Sequence, residues 1–465
     1  MGCSNSHNNT TLNTKSPSSQ NNSNSYIWLE YISLIQKATH YQHNNEHHQI
    51  VYNNKTMEYT FTIKGNKPIN GFPLYIALHD GEVSHSAYNT NEYKKMKTLY
   101  LPNITNGIYL VIRGISNQSN FHYMNESYFM IERLLREMIA LHNADPNKVY
   151  LLGVGLGGDA VYQLASRLSD RFAALSINSG HSYGLNLKNL LGIPIQIQVG
   201  ENDIAYEKNK NAVNVYITLN QLHKEYNIPL QHIECNIHIN KAKHIIDYHP
   251  SKKQQTIVKD PIEWLNNTNK DIATIQHNVN AIEFVSQFQR NPFPKRLIWD
   301  LTNSMLNNSN HSISNNKGEH YVTLTDFTKG VSMLNKKNQS NNNDMNSLIV
   351  CTPHYYWLEI GNKQLNEIGT TEIIASYDKD SNTICVESKV KYVRVLLCEE
   401  MVDIEKEITV IVCNTYKQSV KVFRHFATER RCLIERGDYN FVFNASIVIE
   451  YIGNNNYKIE QYDEN

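Results

Sequence analysis

The sequence predicts two folded regions in series: an α/β region with a mostly parallel sheet and helices on both faces, then a smaller all-β region. Three observations carry this. Apolar strand-like runs alternate with helix-period segments from about Tyr26 to Pro294, the pattern of a parallel sheet with crossover helices. After "NPFPKR" short β-type runs recur at regular intervals with no long amphipathic helix. And 465 residues are too many for one ordinary core.

Taken in order, "PLYIALHDGE" and "GIYLVIRG" read as strands, and "YFMIERLLREMIALHN" has helical apolar spacing that stops before Asp145-Pro146. "KVYLLG" is a short apolar strand, followed by glycines and a helix over "DAVYQLASRLSDRF". Further strands are expected at "AALSINSG", "IPIQIQVG" and "HIECNIHIN", with a helix over "KNAVNVYITLNQLHKEYN". Gln196 and Gln198 are out of place in a doubly covered strand, so one face of that strand is expected to be less buried. The later runs "EIIASYD", "TICVES", "VRVLLC", "EITVIVC", "SVKVFRHF" and "SIVIEYI" make the β region. The boundaries expected are a disordered, lipidated tether over 1–25, the α/β domain over 26–296, and the β domain over 297–465. An Asn-rich insertion interrupts the last at about 303–346.

Composition excludes more than it assigns. Forty-four basic residues balance 44 acidic ones, which gives no electrostatic case for nucleic acid. The seven cysteines form no C-x-x-C pair and no Cys/His ligand spacing, so neither a disulfide framework nor a metal site is expected. Asparagine runs such as "NKKNQSNNNDMNS" bury too little apolar surface to fold and read as surface insertions. No run of about 18 apolar residues suggests a transmembrane helix, and no hydrophobic signal peptide is seen.

The opening "MGCSNS" places Gly2 behind the initiator Met with Ser6 in the N-myristoylation pattern, and Cys3 beside it suits S-palmitoylation. Two acyl chains give stable anchoring where one is marginal. The expected place is therefore the cytoplasmic face of a membrane, with the cytosol as the alternative.

The decisive stretch is "KVYLLGVGLGGDAVYQLA" (148–165). Gly153, Gly155 and Gly158 fit a dinucleotide fingerprint, but they follow at least two strands and a long helix. The next strand, "AALSINSG", ends without the carboxylate that would hold a ribose, so no cofactor is expected. The same residues fit G-x-S-x-G-G, a nucleophile elbow, with glycine at Gly155 where the serine belongs. Asp203 in "VGEND" and His244 in "HINKAKH" follow in the order expected of a triad acid and base. His79, Asp80 and Gly81 occupy the place of the oxyanion loop, with the backbone N–H of Leu156 as the second donor.

At these residues the chain resembles the α/β-hydrolases of the poly(3-hydroxybutyrate) depolymerase-like or esterase-like group. The resemblance runs from roughly Pro73 to Ile449 and includes "DPNKVYLLGVGLGGDAVYQLASRLSDRFAA", "GENDIAYEKNK", "HYYWLEI" and "ERGDYNFVF". It implies an α/β-hydrolase sheet, a C-terminal β domain, and a serine at the position of Gly155. Glycine has no side chain with which to attack, and a run of H-G-G-G type is replaced by His79-Asp80-Gly81-Glu82. A carboxylate about 4 Å from the developing oxyanion would oppose it by roughly 4 kcal/mol at an effective dielectric near 20. These departures imply a pseudoenzyme that binds a small molecule or a protein. The alternative is a weak ester hydrolase in which His244, oriented by Asp203, activates water.

Other candidates have plainer readings. Asp159 lies inside the helix and reads as structural, and His181 either lines the cleft or packs. His43, His47 and His48 in "HNNEHHQ" read as a solvated segment.

Overall fold

The computed structural model describes residues 21–37, 48–242, 254–267, 272–306, 349–350, 354–360, 372–388 and 390–462. Gly2, Cys3, His43, His47, His244 and nearly all of the Asn-rich insertion lie outside them.

A ten-stranded sheet organises the first region. Its strands are β1 (Gln49–Tyr52), β2 (Lys55–Lys64), β3 (Phe72–Leu78), β4 (Gly107–Ile112), β5 (Ala144–Val154), β6 (Ala174–Asn178), β7 (Ile195–Gly200), β8 (Ile233–His238), β9 (Gln254–Val258) and β10 (Thr274–Asn278). Their spatial order is β1-β2-β4-β3-β5-β6-β7-β8-β9-β10. The six strands from β4 to β8 pair in parallel, while the hairpins β1-β2 and β9-β10 close the two edges antiparallel. Helices covering both faces explain why β3, β4, β6 and β7 are buried almost throughout. On one face, Leu151, Ile177 and Ile197 pack into the main core with Met138 and Leu164. On the other, Tyr75, Tyr109 and Leu152 pack with Tyr93 and Phe284.

Gln196 and Gln198 do not mark an open face, because both are fully buried. They are held in a hydrogen-bonded ladder instead. Gln198 donates to Gln196 Oε1 at 2.7 Å and to the Val279 carbonyl at 2.9 Å, and Ser176 donates to Gln196 Oε1 at 3.2 Å. Buried amides are tolerated when their groups are paired in this way.

The second region holds two five-stranded sheets. One contains β11 (Arg296–Asp300), β16 (Glu372–Asp378), β17 (Thr383–Glu387), β19 (Ile408–Val412) and β20 (Tyr416–Val420). The other contains β14 (His354–Tyr355), β15 (Leu358–Ile360), β18 (Tyr392–Leu397), β21 (Ala445–Gly453) and β22 (Asn456–Gln461). A short ribbon pairs β12 (Met305–Leu306) with β13 (Ile349–Val350). Trp299, Trp357, Val395, Val410 and Ile447 fill the core shared by the two sheets.

This region also carries a helix, Phe426–Arg436, which the sequence reading did not anticipate. It packs on another helix, Asn21–Lys37, through Leu433 and Ile434 against Ile27, Tyr31 and Ile35. That N-terminal helix begins inside the stretch expected to be a tether.

A buried ionic cluster joins the two regions. Arg171 bonds both Glu132 oxygens at 2.8 and 2.7 Å, Arg290 meets Asp438 at 2.8 Å, and Arg436 bonds Asp170. Arg290 and Arg436 each lie 4.4 Å from the centre of the Phe441 ring. Buried charges of this kind persist only when each is paired.

Candidate functional site

The elbow is present in the backbone. Between β5 and the helix Leu156–Arg167, Gly155 adopts φ +57 and ψ −119, a conformation that strains any residue with a Cβ. The flanking glycines are required by close approach of chain to chain. A Cβ on Gly153 would lie 2.1 Å from the Gly157 carbonyl oxygen, and one on Gly157 would lie 2.2 Å from that of Leu78. These glycines therefore seat the helix on β3 and β5. Gly155 N–H donates to the Asn178 carbonyl at 2.9 Å, tying the turn to β6.

The oxyanion loop closes on this turn from β3. Asp80, 4% exposed, turns inward, and its Oδ1 accepts the Leu156 N–H at 2.8 Å. The same oxygen lies 1.9 Å from where a Cβ on Gly155 would stand, with Cγ at 2.3 Å and Oδ2 at 2.9 Å. One carboxylate thus fills the space that a side chain at position 155 would take and holds the Leu156 N–H. Glu82, the other acid of the loop, is exposed.

The rest of the loop is held rigidly. His79 is fully buried, stacks on Phe121 at 5.1 Å, and accepts the Gly114 N–H at Nε2, 3.2 Å away. Its Nδ1–H is thereby left to donate to the Asp80 carbonyl. Burial pushes its pKa down to about 4, so the ring is neutral at pH 7. His122 donates from Nε2 to the His79 carbonyl at 3.0 Å. A Cβ on Gly81 would lie 2.7 Å from both Asn89 Oδ1 and the Phe121 ring, so its glycine is demanded by packing. Asn89 pins the next residue by accepting Glu82 N–H at 2.7 Å and donating to its carbonyl at 3.0 Å.

Asp203 stands just past β7, where the triad acid was expected. It is 1% exposed, and among the described residues neither carboxylate oxygen has a hydrogen-bond partner. His244 follows β8 and lies outside the described residues, so the pair is not placed.

Asp159 is structural, as read. Fully buried, it accepts the His181 N–H at 2.6 Å and the Tyr183 hydroxyl at 3.1 Å, with Lys208 Nζ at 3.6 Å. Burial pushes its pKa up, and Lys208 opposes that. His181 holds its own loop by accepting the Tyr183 N–H at 2.8 Å.

Sequence reasoning flagged Asp80 as foreign to an oxyanion loop but missed that its carboxylate fills the space beside Gly155. The available signal was the pairing of a glycine at the elbow with an acid in the facing loop. One group of metal-ligating side chains also occurs among the described residues, His354, Glu359 and Glu435. It is closed by Arg431, which bonds both Glu359 oxygens and reaches Glu435 at 2.6 Å.

No protein-family model matches the sequence, and comparison with curated proteins finds no match. Solved structures with a similar fold include a thermostable esterase, at 15% identity over 52% of this chain and 64% of that one, with a TM-score of 0.36. A poly(3-hydroxybutyrate) depolymerase from Bordetella parapertussis is 16% identical over 41% of this chain and 80% of its own, with a TM-score of 0.33. An S-formylglutathione hydrolase from Agrobacterium tumefaciens is 11% identical over 42% and 86%, with a TM-score of 0.32. This chain spans less than two thirds of the first of these. At such scores the likeness carries no argument about activity. The molecule's own strand order, its turn at Gly155 and the acid after β7 give it an α/β-hydrolase-like fold, followed by a β region.

Proposed function

We propose that this chain is a non-catalytic binding or scaffold protein of α/β-hydrolase-like fold, held at the cytoplasmic face of a membrane by acyl chains on Gly2 and Cys3. One observation carries the first part: the Asp80 carboxylate stands where the nucleophile's side chain would be and holds the Leu156 N–H. Acyl transfer needs a nucleophile and donors aimed at developing negative charge. Here the first is absent, and one of the second is already bound to an anion. The cleft at the carboxyl ends of the strands is where open α/β sheets bind ligands, and its ligand is a small molecule or a protein segment. For the tether, no described helix is long and apolar enough to cross a membrane, so attachment rests on the N-terminal pattern.

The test has two arms. Purified wild type is assayed on a short-chain ester panel beside His244→Ala, and cells are fed an alkyne analogue of myristate with Gly2→Ala as control. The expected results are no turnover in either protein and label that disappears in Gly2→Ala.

Asp203 favours a second reading, the weak hydrolase using His244 and Asp203. A buried carboxylate with no partner among the described residues is costly if left so and suits a residue kept to orient a histidine. That reading requires turnover that His244→Ala abolishes.

A further inference from the structure

A cavity of about 450 Å³ opens at the end of the sheet opposite the elbow, beside the starts of β3 and β5, and its size is ordinary for a ligand site. Its walls come from three parts of the chain that meet only in the folded molecule. The N-terminal helix gives Trp28 and Ile32, the first region gives the segments around Asn70 and Asn143, and the second region gives Tyr439.

We propose that this cavity binds a neutral, polyhydroxylated ring ligand, a mono- or disaccharide in chemical class. The chemistry of the walls eliminates the other classes. Five residues with carboxamide side chains line it, Asn70, Asn143, Asn147, Gln289 and Asn440. An alkyl chain would strip them of water and give nothing in return, at a cost for each group left unmade.

Among the described lining residues the charged groups are Lys67 and Asp145, one of each sign. Lys67 Nζ is committed to Asn143 Oδ1 at 2.8 Å, and Asp145 accepts the Asn147 N–H at 2.9 Å. Neither an anion nor a cation is selected. A flat base is disfavoured too, because Trp28 and Tyr439 touch each other edge to face, at 5.2 Å and 67°. Between them there is a corner and no slot.

What remains suits a sugar. An aromatic corner covers the apolar face of a pyranose, and amide groups address its hydroxyls. The needed donors are available: Asn147 Oδ1 is taken by Arg290 at 2.8 Å and Asn143 Oδ1 by Lys67, while the NH₂ groups of both have no partner among the described residues. The inference is independent of the elbow and does not rest on the non-catalytic reading.

The test titrates the full chain with glucose, maltose and cellobiose, and with myristate and inorganic phosphate as contrasts, following tryptophan fluorescence and calorimetry. Of the four tryptophans, Trp299 and Trp357 are buried in the other core and Trp264 packs against the main core outside the cavity lining, so Trp28 is the one that reports on the cavity. A saturable response to at least one sugar is expected, weakened about tenfold in Gln289→Ala and in Asn143→Gly by loss of one hydrogen bond each. Asn143 has a φ of +58, so glycine there keeps the backbone. In Trp28→Phe the fluorescence response should vanish while calorimetry still registers binding. Saturation by myristate or phosphate alone, no saturation by any sugar, or sugar binding untouched by both cavity variants would each overturn the proposal.

Discussion

The elbow and the acid loop sit on the same ledge of the sheet, yet they have kept opposite things. At the elbow the backbone has the sharp turn, from the φ of Gly155 to the contacts of Gly153 and Gly157, and position 155 carries no side chain. At the acid loop the side chain stays, buried at Asp203, and among the described residues nothing bonds its oxygens. The difference shows which parts of this site double as structure. Glycines that let a helix lie against two strands cannot be changed without moving the core. A nucleophile contributes nothing to folding and strains its own turn.

The largest effect should come from the elbow's structural half. Gly157→Ala drives a Cβ into the Leu78 carbonyl at 2.2 Å, where only backbone can yield. A loss of about 3 kcal/mol or more is expected in denaturant unfolding. A loss under 1 kcal/mol would mean the helix is not seated as described.

The facing loop should show itself in pH. Burial lowers His79 to about 4 from 6.5, so the unfolded chain takes up a proton at a higher pH than the folded one. Stability from this group is fully present above pH 6.5 and is lost as pH falls through 6.5 toward 4, by up to about 3 kcal/mol. His79→Gln should flatten that slope in urea titrations run across the window. An unchanged slope would place the charge elsewhere.

A smaller effect tests the coupling of Asp80 to Gly155. Gly155→Ser should cost about 1–3 kcal/mol for its backbone conformation and the contact with Asp80. Adding Asp80→Ala should recover part of that, so the two changes are non-additive. Strict additivity would show that the carboxylate does not hold the vacated space.

The least effect is expected at the acid loop. Asp203→Asn removes a buried charge that has no partner among the described residues, and should raise stability by about 1 kcal/mol. A fall instead would reveal that Asp203 still holds His244, and would move the acid loop to the preserved side of the comparison.

How far the sequence could be read depended on burial. β3 to β8 and the elbow helix were legible because strands covered on both faces are continuous apolar runs. The edge hairpins β1-β2 and β9-β10 are richer in polar residues, with Thr274, Ile275 and Gln276 exposed, and gave no such signal. The helix Phe426–Arg436 was hidden by its own arginines. Arg431 and Arg436 are turned into ion pairs, so charge occupies positions where apolar periodicity is sought. At the site, the glycine at 155 and the acid at 80 could be read one by one. That they share one space required the fold, since β3 and β5 bring together residues 75 apart in sequence.

Ester hydrolysis and fluorophosphonate labelling of the wild type, of Gly155→Ser and of Gly155→Ser with Asp80→Ala would show whether the Asp80 carboxylate and the glycine at 155 together keep the elbow inert. The account predicts an inert wild type and labelling of the double variant well above Gly155→Ser, because only the double variant has both a nucleophile and a vacant Leu156 N–H. Turnover by the wild type that disappears in His244→Ala would contradict it, and the chain would then be an enzyme that works without a nucleophile at its elbow.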